Sequence, residues 1–305
     1  MAAQRIFCSM DLTGGARSLG LLEKMIAELD LIADKQEEKR GMEMAYEAVL
    51  VEKKDDGKIG IITLNRPEAL NTFNVALARD LSQALLDLDQ DNEVRVIIVN
   101  GAGKCFSAGV DISPDVFEKM TTNEYYDWVS LMAKAIVVIS KIKKPVIASV
   151  HNFAVANGVG IVAAADLAIA EEGVRLGATA INVGLNCIGP QVPLYRNLGK
   201  KRTMEMVLTG RMITAEEAER WGLINRVVPR GTLQEETLKL AREMTSKSPL
   251  ALWSAKKSFY DMSDVEFGKA MELVNNQFAI LCSLQDSCEG IRAFNEKRQP
   301  SWQKK

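Results

Sequence analysis

The chain has 305 residues, of which 47% are hydrophobic and 26% charged, and a formal net charge of −2, an ordinary globular balance. That charge supplies no basic field of the kind that neutralises a phosphate backbone, so a nucleic-acid partner is excluded. Five scattered cysteines (Cys8, Cys105, Cys187, Cys282, Cys288), none in CxxC spacing, and a single histidine offer no zinc ligand set and predict a reducing compartment with no bound metal.

Residues 16 to 42 carry Leu22, Met25, Ile26, Leu29 and Ile32 at helical spacing and end in the charge run KQEEKR, which predicts an amphipathic helix within an N-terminal extension, residues 1 to 43. No apolar run reaches the roughly 18 residues of a membrane helix, and MAAQRIFCSMDLTGG lacks a secretory core. The expectation is a cytoplasmic protein with no membrane partner. A transit peptide is the lesser reading, since Asp11 and the lack of serine enrichment speak against it.

An α/β core is predicted over residues 44 to 212. AVLVEKKDDGKIGIITLN has the form of a β-hairpin turning at DDG. After NRPEALNTFN, the stretch ALARDLSQALLDLDQD has a helical period, and VRVIIVNG is a short buried strand. A helix from about Asn123 to Lys141, the strand PVIASVHN, a helix from Gly158, the strand LAIAEE and a turn at GVRLGATA follow. Repeated strand-then-helix order argues for a mainly parallel sheet.

From residue 213 to 305 the pattern is helical. TAEEAERWGL opens with a capping box, Thr214 and Glu217, and helical periods run through LQEETLKLAREMTSK, SPLALWSAKKSFYDM and a last segment to Arg298.

Several glycine patterns invite a nucleotide reading. GAGKCFSAG is not GxxxxGK[ST], and Gly158, Gly160 and Ala163 match only the loose form GxGxxA, with no acidic residue closing a second strand about 20 residues on. His151 reads as a turn or core histidine, and Cys187, among apolar neighbours, as an inert buried thiol. Two strand-to-helix turns remain, CFSAGVDI and VANGVGIV, each built of small residues that leave main-chain N–H groups bare. Such groups attract anions, and two facing one point form an oxyanion hole.

From about Tyr46 to its end the chain resembles the enoyl-CoA hydratase/isomerase, or crotonase, superfamily. NRPEALN, FSAGVDI, PVIASVHNFAVANGVG, LTGRMITAEEAERWGLINRVVP and EGIRAFNEKRQP look like that family's landmarks, in its order. The resemblance implies an α/β spiral of ββα units with a helical C-terminal trimerisation region, a homotrimer or hexamer, and acyl-CoA thioesters as substrates, with coenzyme A entering only as part of the substrate and no other cofactor.

The family's oxyanion donors fall on the N–H groups of Val110 and Asn157. Its CoA contacts fall on Ala69, Leu70, Ala108, Ile112 and Gly158, with Phe294 and Lys297 reaching in from a neighbouring subunit. Asp111 is read as a turn cap. The two glutamates that handle protons in the family's hydratases fall on Gly160 and Ala180, and Ile188 stands where its dienoyl-CoA isomerases and chlorobenzoyl-CoA dehalogenases place an aspartate. The glycine run of the second turn becomes Ala156, Asn157 and Gly158, which puts a side chain at a donor position.

Three functions follow. The first is an acyl-CoA lyase or isomerase whose acid or base comes from elsewhere, among Asp115, Glu118, Glu124, Tyr125, Asp127, Asn182 and Asn186. The second is decarboxylation of a malonyl-type thioester, which generates its own enolate. The third is a non-catalytic acyl-CoA-binding subunit.

Overall fold

The computed structural model describes residues 46 to 113 and 120 to 303, so the N-terminal helix expected over 16 to 42 lies outside the described residues. The compact unit they form begins at Glu47.

The DDG signal makes the hairpin of β1 (Val49–Lys54) and β2 (Ile59–Leu64). Asp55, Asp56 and Gly57 all take positive φ in its turn, a conformation that glycine and short polar side chains tolerate best. α1 (Val75–Gln90) starts at Asn74, whose side chain accepts the Leu77 N–H, and buries Leu77, Leu81, Leu85 and Leu88 at helical spacing. β3 (Val96–Gly101), α2 (Thr122–Lys141) and β4 (Val146–Val150) follow. Next come β5 (Phe153–Val155), α3 (Asn157–Ala164) and β6 (Leu167–Glu171).

The segment expected as a plain turn at GVRLGATA holds β7 (Arg175–Gly177) and then a 3₁₀ turn, Thr179–Val183. Three residues are too few for a period to show in sequence; pairing with β5 and β8 (Met212–Thr214) makes the strand. α4 (Ile188–Thr209) and α5 (Ala215–Trp221) flank β8, and α5 carries the predicted capping box of Thr214 and Glu217. β9 (Arg226–Val228), α6 (Leu233–Thr245), α7 (Pro249–Met262), α8 (Phe267–Cys282) and α9 (Gln285–Asn295) complete the chain.

The main sheet has the order β1-β2-β3-β4-β6-β9 and is parallel apart from the first hairpin; β9, from the segment read as helical, forms its far edge. A small second sheet has the order β5-β7-β8. On one face of the main sheet, Ile59, Ile61, Val96, Ile98, Ile147 and Ile169 pack against Leu240 and Ala241 of α6. On the other lies α1: a Cβ on Gly60 would stand 2.8 Å from Leu88, so only glycine lets that helix sit so close. α1 packs on α2 and α2 on α3, a helical layer.

One buried ion pair ties the helical region to this core. Lys256 of α7 lies 2.7 Å from Asp166, and Asp166 also accepts the Val146 N–H at 2.7 Å and the Tyr260 hydroxyl at 3.2 Å. Burial pushes the Asp166 carboxyl up and the Lys256 amine down from their ordinary values.

Candidate active site

The first turn is organised by a residue that the sequence reading did not single out. Asn71, fully buried and in the left-handed region, accepts the Arg66 N–H through Oδ1 and donates through Nδ2 to the carbonyls of Ala102 and Cys105, each at 2.9 Å. It thereby folds the NRPEALN loop onto the end of β3. Ser107 joins the same network, donating to the Asn71 carbonyl at 2.8 Å and accepting the Gly109 N–H at 3.2 Å. An asparagine closing a turn after Pro is the sequence signal for it.

Leu70 and Ala108 are brought together by a main-chain bond, Ala108 N–H to Leu70 carbonyl at 2.9 Å, with Ala69 in the 3₁₀ turn just before. Phe73 donates to the Gly109 carbonyl at 2.7 Å and accepts from the Asp111 N–H at 3.0 Å. In this parallel bridge the bonds run through the two neighbours of Val110, so the Val110 N–H points away from Phe73. No acceptor among the described residues takes it. Asp111 accepts the Ser113 N–H at 3.3 Å and lies 3.6 Å from Arg66, the turn-capping role expected of it. Ile112 is exposed.

The second turn leaves β5 at Ala156, whose φ of 46° and ψ of −118° is a conformation natural to glycine and strained for alanine. Its N–H donates to the Gly177 carbonyl at 2.9 Å, holding the turn against β7. α3 then begins at Asn157, so the N–H groups of Asn157 and Gly158 belong to the orphan donors of a helix start. The Asn157 side chain, 7% exposed, turns away from the turn and donates through Nδ2 to the Met132 carbonyl of α2 at 2.9 Å. The substituted position thus keeps its main-chain N–H, and its amide serves as a tether between helices.

The two turns are in contact. A Cβ on Gly109 would fall 2.7 Å from the Ala156 Cβ, and one on Gly158 would fall 2.8 Å from the Ser107 carbonyl oxygen. Val155 also donates to the Ser107 carbonyl at 3.0 Å, so the segment before Val110 runs alongside β5. This close approach explains both glycines.

Gly160 and Ala180, the positions on which the resemblance places carboxylates, have their own surroundings. A Cβ on Gly160 would meet Ile136 Cδ1 and Pro190 Cγ at 3.0 Å, so apolar side chains of α2 and α4 fill that space. Ala180 sits half-buried in the 3₁₀ turn. Glu124 is engaged as the capping box of α2, its Oε2 accepting the N–H and the hydroxyl of Thr121, each at 2.7 Å. Those two donors hold its carboxyl below the ordinary range, which makes it a weaker base. Asp127 and Asn186 are exposed, and Asn182 donates to the Gly210 carbonyl at 3.5 Å. Tyr125 is half-buried on α2, and Asp115 and Glu118 lie outside the described residues.

His151 contacts the Gly103 carbonyl at 3.1 Å, the turn role anticipated for it. Burial pushes the Cys187 thiol up, in keeping with an unreactive cysteine. Phe294 and Lys297 stand away from the turns in sequence, on the end of α9 and just past it, with Phe294 83% exposed. The segment just past that end is held by the pair Arg298–Glu289 at 2.6 Å, while Ser248 donates to Asp286 at the start of α9, also at 2.6 Å. Among the described residues no group of histidine, cysteine, aspartate or glutamate could hold a metal, and no helix is long and apolar enough to cross a membrane.

Residues 54–305 match the family model for enoyl-CoA hydratase/isomerase. A probable mitochondrial enoyl-CoA hydratase of Dictyostelium discoideum is 34% identical over 258 residues, covering 82% of this chain and 89% of its own. A probable enoyl-CoA hydratase of Rhizobium meliloti is 35% identical, covering 84% of this chain and 98% of its own. Among solved structures, the human enoyl-CoA hydratase domain-containing protein 3 aligns with a TM-score of 0.80 at 33% identity, over 84% of this chain and all of its own. An enoyl-CoA hydratase of Mycobacterium smegmatis gives the same TM-score at 32% identity, covering 84% of this chain and 98% of its own.

Proposed function

The chain belongs to the enoyl-CoA hydratase/isomerase family, and from that premise we propose that it is an acyl-CoA lyase or isomerase working through an enolate held by the main-chain N–H groups of Val110 and Asn157. The observation that carries this reading is the contact of the two turns. Both donors stand on backbone fixed by buried bonds, so they need no rearrangement as charge develops on the thioester oxygen. Each donor of this kind is worth about 2.7 to 4 kcal/mol in the transition state. The acid or base is not the family's glutamate pair. Ala69, Leu70, Ala108, Ile112 and Gly158 hold the CoA portion in this reading.

The filled space at Gly160 favours a second reading beside the first. Where Ile136 and Pro190 occupy the room a carboxylate would need, decarboxylation of a malonyl-type thioester is well served, because loss of CO₂ supplies the enolate and only one proton must then be delivered. A non-catalytic acyl-CoA-binding subunit would need the CoA contacts alone.

The exposed apolar residues Phe267, Phe278, Ile280 and Phe294 of α8 and α9 support burial against neighbouring subunits, as a trimer or hexamer in which Phe294 and Lys297 complete an adjacent site. Lys297 there meets a CoA phosphate as a point charge.

The test is turnover of a panel of enoyl-, dienoyl- and malonyl-type CoA thioesters, with CoA-thioester affinity measured in parallel. Turnover of at least one is expected. Binding without turnover across the panel supports the non-catalytic subunit, and no binding at all overturns the acyl-CoA reading.

A further inference from the structure

Gly109 and Ala156 lie against each other where the two turns meet, and each stands immediately before one of the main-chain N–H groups assigned to the thioester oxygen. The Val110 N–H shares a planar peptide unit with the Gly109 carbonyl, and the Asn157 N–H shares one with the Ala156 carbonyl. Whatever spaces Gly109 from Ala156 therefore also spaces the two donors.

Among the described residues no hydrogen bond joins this pair. The Gly109 N–H goes to Ser107 Oγ at 3.2 Å, and the Gly109 carbonyl takes the Phe73 N–H at 2.7 Å. The Ala156 N–H goes to the Gly177 carbonyl at 2.9 Å, and the Ala156 carbonyl takes the Gly160 N–H at 3.1 Å. All four groups have their partners elsewhere, whereas just upstream the turns are joined directly, by the Val155 N–H on the Ser107 carbonyl at 3.0 Å. Between Gly109 and Ala156 the contact is one of van der Waals surfaces: a Cβ added to Gly109 would fall 2.7 Å from the Ala156 methyl carbon.

That methyl stands on strained backbone. At φ 46° and ψ −118° glycine is at ease and an L side chain is not, so alanine destabilises the fold here relative to glycine. The bonds on either side of Ala156 hold it in this conformation, as they must for the strain to persist. Taking the Val110 and Asn157 N–H groups as the oxyanion donors, we propose that Ala156 is a positioning residue, whose methyl, set against Gly109, holds the two donors at the separation that one oxygen atom requires. It acts through the two peptide units and touches no reacting atom. Without it the turns are free to close by part of a methyl diameter, and both N–H groups move with them.

Ala156→Gly and Ala156→Ser, made in the full chain, separate positioning from stability. The probe is acetoacetyl-CoA, a β-ketothioester whose enolate absorbs in the near ultraviolet; the spectrum at saturation and fixed pH reads the enolate-to-keto ratio of the bound molecule. Ala156→Gly should raise the urea midpoint, because the strain is gone, and lower that ratio by about tenfold, inside the loss of about 10² that a displacement of about 1 Å produces. Ala156→Ser keeps a Cβ against Gly109 and should stay near the parent in both measurements. A residue with a structural role alone would not move the two in opposite directions. Val110→Pro is the reference for the donors themselves: if it shows the parent's ratio, the oxyanion reading falls and this inference with it. If Val110→Pro lowers the ratio and Ala156→Gly does not, if Ala156→Gly lowers the ratio and the urea midpoint together, or if Ala156→Ser behaves as Ala156→Gly does, the role of the methyl alone is overturned.

Discussion

Asn157 Nδ2 lies 2.9 Å from the Met132 carbonyl oxygen, so this side chain ties the start of α3 to the middle of α2. The main-chain N–H of Asn157 remains for a substrate. Asn157→Ala keeps that N–H and removes the tether. We expect it to cost about 1 kcal/mol of stability, the usual net value of one buried hydrogen bond, and to lower kcat by less than about tenfold. Denaturant melting and steady-state kinetics check both; a loss of kcat beyond a hundredfold would mean the side chain itself touches the reacting atoms.

Val110→Pro deletes the other donor. The bridge to Phe73 runs through Gly109 and Asp111, so proline at 110 removes none of its bonds. The variant should fold, retain CoA-thioester binding and lose about 10²- to 10³-fold in kcat. Unchanged kcat in a folded variant removes Val110 from the mechanism.

Gly160→Glu should not create a hydratase. The new Cβ would press on Ile136 and Pro190, with an overpacking cost of about 1–3 kcal/mol. The denaturation midpoint should fall, and crotonyl-CoA hydration should stay at the level of the parent. A gain in hydration would show that the space at 160 opens toward substrate.

Much of this was legible in the sequence, and the limits have physical causes. α1 and the Thr214–Glu217 capping box declare themselves because helical period and caps are local. The two turns were recognisable as anion-binding, but their contact depends on Gly109 meeting Ala156 and Gly158 meeting Ser107, pairs separated by more than forty residues. The same applies to Asn71, whose partners Ala102 and Cys105 are distant in sequence. The capping box of Thr121 and Glu124 is as local as the other, and it removes Glu124 from the candidate acids and bases. The packing around Gly160 could not be read from its neighbours, since Ile136 and Pro190 come from α2 and α4.

The pair Lys256–Asp166 should be essential to stability. Lys256→Met leaves a buried carboxylate that also holds the Val146 N–H, and a loss of about 3–5 kcal/mol is expected. Adding Asp166→Asn should recover part of that loss. Equal stability of the single and double variants would show that the penalty comes from packing and not from the uncompensated charge.

Acid should loosen the C-terminal segment through the Glu289 pair. Arg298 and the Ser301 N–H hold the Glu289 carboxyl down to about 2. A depressed carboxylate contributes stability that is complete above its unfolded pKa of about 4.3 and disappears as pH falls through the folded value. The melting temperature should thus be level near pH 6 and fall between pH of about 4.5 and 2, with a shallower fall in Glu289→Gln. Identical acid profiles would rule out that contribution.

The central claim is that main-chain donors, and no glutamate pair, carry the chemistry. A crystal structure with a bound, unreactive acyl-CoA analogue tests it most directly. The account predicts the thioester oxygen at about 2.7–3.1 Å from both the Val110 and the Asn157 nitrogen. A thioester oxygen held by any other group, with those two N–H groups facing solvent, would contradict it.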